Sequence, residues 1–379
     1  MKPEISSDGT YLTVLLCTGT ARFHAVWLRD NARDPETISP QNGQRIITLL
    51  DQPLTITLQA AKVVNQDTLR IRFHGNPVDY NYPLDWLQAH RYDRHFEPSR
   101  GWTNQHIERW GRELQSQIPT AEYGHVLACK SSLGKWLSTF RAYGFAMLTD
   151  LPEDPDSLLS ITDLFGFVRE TNYGRYFDVR TEVNPINLAF TALGLQAHTD
   201  NPYRDPVPTL QILACVENSV EGGESIVVDG FNTVATLQKE NPTHFDLLSG
   251  YCARFRYAGS KGVDLASKRP MIELNPDGEL IAVRFNNRSA APFTDIPFEQ
   301  MQAYYQAYRH FAEILARDEN KVQFKLQAQE LFIVDNTRVM HSRKAFSSSG
   351  SRWLRGWYAD KDGLLSTLSV IQSQASVKQ

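Results

Sequence analysis

The chain has 379 residues, of which 41% are hydrophobic, enough for a large core in two domains or in one domain with an appendage. Lys and Arg number 39 against 43 Asp and Glu, and this net charge of −4 gives no reason to expect nucleic acid or an anionic membrane as a partner. No apolar run is long enough to cross a bilayer, and the four cysteines are scattered singly (Cys17, Cys129, Cys215, Cys252), so we expect a protein of the reducing cytoplasm.

The N-terminal residues 1–95 are predicted to form a small β module. Stretches such as YLTVLLCTG, QRIITLL and TLRIRFHG are separated by Gly, Pro and Asn, which is typical of short strands joined by turns. PLDWLQAHRYD then predicts a short helix. The polar, Trp-containing residues 96–120 are interpreted as a linker.

Residues 121–379 are predicted to form the main domain, in which strands dominate. SLGKWLSTFRAYGFAMLTDLP indicates a helix that runs into a strand at Gly144, and DSLLSITDLFGFV indicates a second helix. FEQMQAYYQAYRHFAEILARD has the spacing of an amphipathic helix, and LFIVDNTRVMHSRKAF and RWLRGWYADKD indicate two closing strands. A mainly β chain with covering helices predicts a β-sandwich or a jelly-roll barrel.

A candidate metal site begins in AHTD, at the end of a predicted strand. Side chains alternate along a strand, so His198 and Asp200 are expected on one face. A mononuclear iron site with two histidines and one carboxylate needs a second histidine, for which His341 in DNTRVMHSRKAF is the best candidate. Arg352 follows in SRWLRGWY and is able to hold a carboxylate at two points, deeper in the barrel if its strand pairs back along the metal strand. The triplet alone is weak evidence; the ordered set in a β-rich chain favours an iron site.

Several sequence blocks carry a resemblance to a known family, in one order along the chain. They are WLRDNARDP, YPLDWLQAHRYD, HTDNPY, PTLQILACVENSVEGGESIVVDGF, RFNNRSAAPF, DNTRVMHSR and RWLRGWYADKD. With these blocks the chain resembles the taurine-dioxygenase-like Fe(II)/2-oxoglutarate oxygenases, and within them the γ-butyrobetaine hydroxylase branch, over nearly its whole length.

This resemblance implies a double-stranded β-helix (jelly-roll) core and a hydroxylation reaction. It implies that Fe(II) is held by His198, Asp200 and His341, that 2-oxoglutarate chelates the iron while Arg352 pairs with its far carboxylate, and that O₂ is the oxidant. The branch usually carries a structural zinc whose cysteines begin right after WLRDN. Here that position reads ARDPET, with no cysteine from 18 to 128, so we predict no zinc.

The resemblance also implies a small trimethylammonium substrate in an aromatic cage, since a quaternary ammonium cannot donate hydrogen bonds and binds to π faces. The matching aromatic residues are Tyr173, Phe177, Phe190 and Tyr358. The anionic end of the substrate is expected at two matching amides, Asn187 and Asn287, and at three further residues of this chain, Asn201, Tyr203 and Arg288. This set has more capacity for negative charge than one carboxylate needs. It favours (2-trimethylammonio)ethylphosphonate as the substrate, with γ-butyrobetaine, the precursor of L-carnitine, as the alternative.

Three other functions stay open at this point. They are an enzyme of the same scaffold that acts on a sulfonate or an amino acid, a non-catalytic betaine-binding β protein, and a zinc hydrolase that uses the same three metal-ligating residues. The aromatic set argues against the first, and neither of the others needs both the triad and Arg352. Dimers are common in the branch, so a homodimer is an expectation from the resemblance alone.

Overall fold

The computed structural model describes residues 2–93, 98–180, 194–347 and 349–376. It divides the chain into two compact units, Met1–Glu97 and Pro98–Gln379. Residues 98–120, for which the sequence predicted a linker, fall within the second unit, where Trp110 and Leu114 are buried in a core. No helix in the described ranges has the length and apolar character needed to cross a membrane.

The first unit consists of two antiparallel three-stranded sheets and two short helices. Its elements are β1 (Glu4–Ile5), β2 (Tyr11–Leu16), β3 (Gly19–His24), α1 (Ala25–Asp30), β4 (Leu58–Val64), β5 (Thr68–Phe73), β6 (Asp79–Pro83) and α2 (Leu84–Ala89). Strands β1-β2-β3 form one sheet and β4-β5-β6 the other, and alternate residues of both enter one core. After α1, Thr37 is fully buried; its hydroxyl donates to Asp34 (2.7 Å) and accepts from Arg29 (3.0 Å).

The second unit combines two larger sheets, two β-ribbons and six helices within the described residues. Its elements are β7 (Thr120–Glu122), α3 (Tyr123–Ala128), α4 (Lys130–Tyr143), β8 (Phe145–Thr149), β9 (Val168–Arg169), β10 (Phe177–Val179), β11 (Leu195–His198), β12 (Leu210–Asn218), β13 (Ser225–Asp229), α5 (Gly230–Glu240), α6 (Pro242–Gly250), β14 (Cys252–Tyr257), β15 (Leu265–Pro270), β16 (Ile272–Leu274), β17 (Leu280–Val283), α7 (Phe298–Ala316), β18 (Lys321–Phe324), β19 (Glu330–Asp335), β20 (Val339–Arg343), β21 (Arg352–Ala359) and α8 (Lys361–Ser376). Short 3-10 helices add Leu49–Asp51 in the first unit and Arg112–Gln117, Pro155–Leu164, Asn287–Ser289 and Asp318–Asn320 in the second. The second of the predicted helices, DSLLSITDLFGFV, is the one at Pro155–Leu164; its buried Leu158 and Ile161 are three residues apart, which suits three residues per turn.

Two sheets organise the second unit. The larger one has the order β10-β21-β12-β19-β8-β7, with β9 also paired to β21, and all its pairs are antiparallel except β7 with β8. The smaller one has the order β11-β20-β13-β18 and is antiparallel. Gly144 ends α4 in the left-handed conformation (φ 66°) and leads directly into β8, as the sequence indicated.

Alternation along the strands separates the layers. Phe145 and Met147 of β8 share a core with Val227 of β13 and Val339 of β20, so this core lies between the two sheets. The intervening Ala146 and Leu148 pack instead with residues of α4 and α8. Val228 and Met340, the next residues on the smaller sheet, pack with residues of α5, α6 and α7. The prediction of β structure with covering helices is confirmed at this level.

Candidate metal centre and substrate cavity

Three metal-ligating side chains meet where β11 ends. In the antiparallel pairing of β11 with β20, His198 lies directly opposite His341, and Asp200 follows just beyond the strand. The Nε2 atoms of His198 and His341 lie 3.3 and 3.9 Å from Oδ1 of Asp200. One ligand atom from each residue lies within 4.8 Å of the others, so the group is able to hold one metal ion.

Hydrogen bonds orient two of these side chains. Nδ1 of His198 lies 2.7 Å from the Gln196 carbonyl, to which its N–H donates, and this leaves the Nε2 lone pair facing Asp200. Oδ2 of Asp200 accepts from Nε2 of Gln211 (2.5 Å) and from the hydroxyl of Tyr358 (2.8 Å). Oδ1 is therefore the carboxylate oxygen presented to the two imidazoles.

The backbone of Asp200 is also held in place. Its N–H donates to Oδ1 of Asn336 (2.7 Å), and Nδ2 of Asn336 donates back to its carbonyl (2.9 Å). Asn336 lies in the turn between β19 and β20, so the chain that leads to His341 also fixes Asp200. Neither Asn336 nor Gln211 was found from the sequence, because tertiary contacts bring a turn and a strand of the larger sheet to Asp200, and neither residue stands in a spacing that points to a metal.

The protonation states suit a metal. Burial, and then the neighbouring His198, lowers the pKa of His341 to about 3, so that its imidazole is neutral. Burial alone would raise the pKa of Asp200, but the neighbouring side chains of His198, His341 and Arg288 hold it well below its usual value. Imidazole nitrogens with one carboxylate oxygen are the donor set of the Fe(II) oxygenases, and ligands bind in these deprotonated forms. The residues present fit Fe(II).

A cavity of about 280 Å³ opens over this cluster. Arg352, Leu354 and Tyr358 of β21 line it, together with the three metal-ligating residues. Arg352 was expected deeper in the barrel if its strand paired back along the metal strand; that condition is not met, because β21 pairs with β10 and β12 in the larger sheet. The chain crosses from one sheet to the other between β20 and β21, so Arg352 faces the metal cluster from the opposite sheet.

Two buried arginines make one end of the cavity cationic. Burial lowers the pKa of both Arg343 and Arg352 to about 10, so both remain charged at neutral pH. Nε of Arg352 is buried and has no hydrogen-bond partner among the described residues. A buried guanidinium nitrogen that lacks an acceptor fits an anionic ligand, and the far carboxylate of 2-oxoglutarate has the required chemistry.

Aromatic rings form another wall of the cavity. The ring of Phe177 lies 6.0 Å from that of Tyr173 and 5.3 Å from that of Tyr358, measured between centroids, and all three line the cavity. Tyr257 of β14 also lines it and stacks on Tyr203 at 5.1 Å, but nothing in its sequence context singled it out. Two predicted substrate residues, Asn187 and Phe190, lie outside the described residues.

The predicted polar residues divide into two groups. Asn201, Tyr203 and Arg288 line the cavity; the Tyr203 hydroxyl donates to Oδ1 of Asn201 (2.6 Å), and Nδ2 of Asn201 is buried without a partner in the described chain. Asn287 does not line it, because its exposed side chain accepts from the Tyr308 hydroxyl and donates to Gln196. The neighbouring amide Asn286, which the sequence did not indicate, lines the cavity in its place.

Comparison with known proteins places the chain in a family. A family model described as taurine catabolism dioxygenase TauD, TfdA family, matches residues 103–358. The chain belongs to this family. Among relatives of this TauD/TfdA chain, γ-butyrobetaine dioxygenase of Pseudomonas sp. (strain AK-1) is 33% identical over 351 residues, which cover 92% of this chain and 90% of the relative. γ-Butyrobetaine dioxygenase of Homo sapiens is 30% identical over 376 residues, covering 97% and 96%.

A solved structure shares the fold. Asparagine oxygenase (AsnO) superposes with a TM-score of 0.50 at 18% identity, over 60% of this chain and 78% of that one, a likeness that shows the fold alone. The TauD/TfdA chain is thus an Fe(II)- and 2-oxoglutarate-dependent dioxygenase, and the resemblance seen in its sequence is confirmed. Its reaction needs 2-oxoglutarate, O₂ and a small substrate.

Proposed function

We propose that this dioxygenase hydroxylates an aliphatic carbon of a small trimethylammonium zwitterion, and that the preferred substrate is (2-trimethylammonio)ethylphosphonate. In this proposal His198, Asp200 and His341 hold Fe(II), and Arg352 binds the far carboxylate of 2-oxoglutarate. Tyr173, Phe177 and Tyr358 receive the ammonium group, together with Phe190. Asn201, Tyr203 and Arg288 receive the anionic group, together with Asn187, and Asn286 takes the place that the sequence had given to Asn287.

The chain's own residues bind and orient the reactants. Fe(II), when bound, would allow O₂ to oxidise both reactants: one oxygen atom replaces a C–H bond of the substrate by C–OH, and the other enters the succinate that 2-oxoglutarate forms with loss of CO₂. Tyr358 and Gln211 hold Oδ2 of Asp200 so that Oδ1 faces the histidines. The aromatic wall attracts the ammonium through the ring faces and excludes water from that end. The substrate carbon is thereby held at a fixed position between the two ends of the cavity.

The observation that favours a phosphonate over a carboxylate is the charge of the side chains that line the cavity. Arg288, Arg343 and Arg352 line it, and the carboxylate of Asp200 is the acidic group among the described lining residues. Fe(II) and the 2-oxoglutarate dianion have equal and opposite charges, so the three arginines outweigh the carboxylate of Asp200 in the lining. This excess of positive charge favours a phosphonate dianion over a carboxylate, which brings one negative charge fewer.

γ-Butyrobetaine is the second candidate, and a specific observation favours it. The two relatives described above, at 33% and 30% identity over more than nine-tenths of this chain, are both named γ-butyrobetaine dioxygenases. That compound has the same ammonium group and a carboxylate in place of the phosphonate. The aromatic wall can therefore bind both candidates, and the arginines determine which of them is preferred.

The test compares the two compounds with the Fe(II)-loaded protein. Succinate and hydroxylated product are measured for each, and kcat/KM for the phosphonate is expected to be the higher. Arg288→Ala should lower kcat/KM for the phosphonate by about 10- to 150-fold, since a hydrogen bond to a charged group contributes roughly 1.5–3 kcal/mol. Arg309→Ala, at an exposed arginine of α7 paired with Glu313, is the matched control and should change little.

Three outcomes would count against the proposal. Much faster turnover of γ-butyrobetaine would replace the phosphonate by the carboxylate. Full activity of Arg288→Ala on the phosphonate would remove the charge argument. Turnover of neither compound would move the search to substrates without an ammonium group.

We also propose the finer architecture and surroundings of the enzyme. The two facing sheets of the second unit are taken as a double-stranded β-helix in an oxygenase domain at 121–379. Residues 1–95 are taken as an accessory module, and 96–120 as a connection that packs into the core of the second unit through Trp110 and Leu114. The four cysteines are unpaired, which supports a cytoplasmic location. A homodimer is proposed from the family resemblance, and sedimentation equilibrium tests it.

A further inference from the structure

The cavity-facing side of β21 has a gap at Gly356. Alternate residues of this strand, Arg352, Leu354 and Tyr358, line the cavity, and Gly356 stands between the last two without a side chain. In the sheet, Gly356 lies directly opposite Phe177 of β10. The Phe177 ring fills the space that a side chain at position 356 would take.

The fit between ring and glycine is close. A Cβ atom at position 356 would lie 2.5 Å from Cε2 and Cζ of Phe177 and 2.9 Å from Cδ2 of Leu213. Carbon atoms in contact are about 3.5–4.0 Å apart, so the ring would have to move by about 1 Å. Leu213 lies opposite Gly356 on the other neighbouring strand, β12, and β21 itself lies behind the ring. The direction left for the ring is into the cavity.

We infer that Gly356 is a specificity-determining residue, which seats the Phe177 ring deep enough for the cavity to admit a trimethylammonium group. The inference rests on the proposed function, because there Phe177 is the central wall of the ammonium site, between Tyr173 and Tyr358. An alanine at this position raises the ring toward the ammonium. The kcat/KM of a substrate whose head group has three methyl groups is then lowered most, and that of a substrate with fewer methyl groups is lowered less.

The experiment compares Gly356→Ala with Gly124→Ala, a control at a glycine where a Cβ meets no atom within 4 Å. The probes are (2-trimethylammonio)ethylphosphonate, γ-butyrobetaine and their dimethylamino analogues. Gly356→Ala is expected to lower kcat/KM for the trimethylammonium compounds by roughly tenfold or more relative to the dimethyl ones, the scale of one methyl group in a close-fitting pocket. The KM for 2-oxoglutarate and the affinity for Co(II) should not change, and Gly124→Ala should leave every value as it is.

A second variant separates a local effect from damaged folding. Leucine lacks the two ring atoms that would collide, and Cδ2 of Leu213 is the end of a flexible side chain that can shift at little cost. Adding Gly356→Ala to a Phe177→Leu protein should therefore cost little further activity. An equal loss on trimethyl and dimethyl compounds, or a further loss of the same size in the Phe177→Leu background, would overturn the inference. If the wild-type protein turns over none of the ammonium compounds, the proposed function fails and the inference falls with it; if it turns them over and Gly356→Ala keeps the wild-type preference, the inference alone fails.

Discussion

Tyr358 contacts both the metal-ligating cluster and the aromatic wall of the cavity. Substitution by Phe removes its hydroxyl and keeps its ring. Its OH donates to Oδ2 of Asp200 at 2.8 Å, while its ring lies 5.3 Å from that of Phe177. Tyr358→Phe is therefore expected to weaken metal binding and to leave the KM of an ammonium substrate close to the wild-type value. A hydrogen bond to an ionised group contributes roughly 1.5–3 kcal/mol, or about 10- to 150-fold in affinity. Because Gln211 still donates to the same oxygen, the lower end is expected, about tenfold.

The assay is a titration of the metal-free protein with Co(II) against a competing chelator. Tyr203→Phe is the matched control, because its hydroxyl donates to Asn201 and not to the carboxylate of Asp200. The reasoning is refuted if Tyr358→Phe binds Co(II) as tightly as the wild type. It is equally refuted if Tyr203→Phe shows the same loss, since the effect would then not pass through Oδ2.

Three further predictions concern groups away from the cavity. Arg338 and Asp229 form a fully buried ion pair at 2.9 Å, so Arg338→Met should leave an unpaired carboxylate and lower the free energy of unfolding by roughly 3–5 kcal/mol in a denaturant titration; a loss below about 1 kcal/mol would contradict this. The hydrogen bond from Ser131 lowers the pKa of the exposed Cys129 thiol to about 7, whereas burial raises that of Cys215 to about 12. Iodoacetamide at pH 7.5 should therefore label Cys129 first, as mass spectrometry of the peptides would show. Thr37→Val should lower the stability of the first unit by about 1–3 kcal/mol in hydrogen exchange, because it removes the hydroxyl between two charged side chains, and unchanged protection would disprove it.

The three metal-ligating residues that the sequence indicated share one property: their placement follows from local periodicity. His198 and Asp200 were expected together because of their spacing at a strand end, and His341 because it follows an apolar strand. The pairing of β11 with β20 then brings both histidines opposite each other. Local periodicity indicates which way a side chain points. It does not indicate which strands become neighbours, and for this reason the sequence left the partner of the Arg352 strand open.

Residues that act through long-range pairing left no local signal. Asn336 is 136 positions from Asp200 along the chain, and Tyr257 reaches the cavity from a separate ribbon. The choice between Asn286 and Asn287 depends on one turn of 3-10 helix, where Asn286 caps the turn from a buried position and Asn287 points outward to Tyr308. Such distinctions arise from tertiary contacts, which a single sequence does not display.

Each of the two sheets contributes different residues to the site. The two histidines lie on strands of the smaller sheet, whereas Arg352, Tyr358 and Gln211 belong to the larger one. Core residues such as Phe332 set the spacing between the sheets. That spacing therefore fixes the position of the Asp200 carboxylate relative to the histidines on one side and to Tyr358 and Gln211 on the other. Substitutions on β21 can therefore change the substrate side of the cavity without altering either histidine. Substitutions that change the thickness of the core between the sheets are expected to alter the metal site, although they lie far from it.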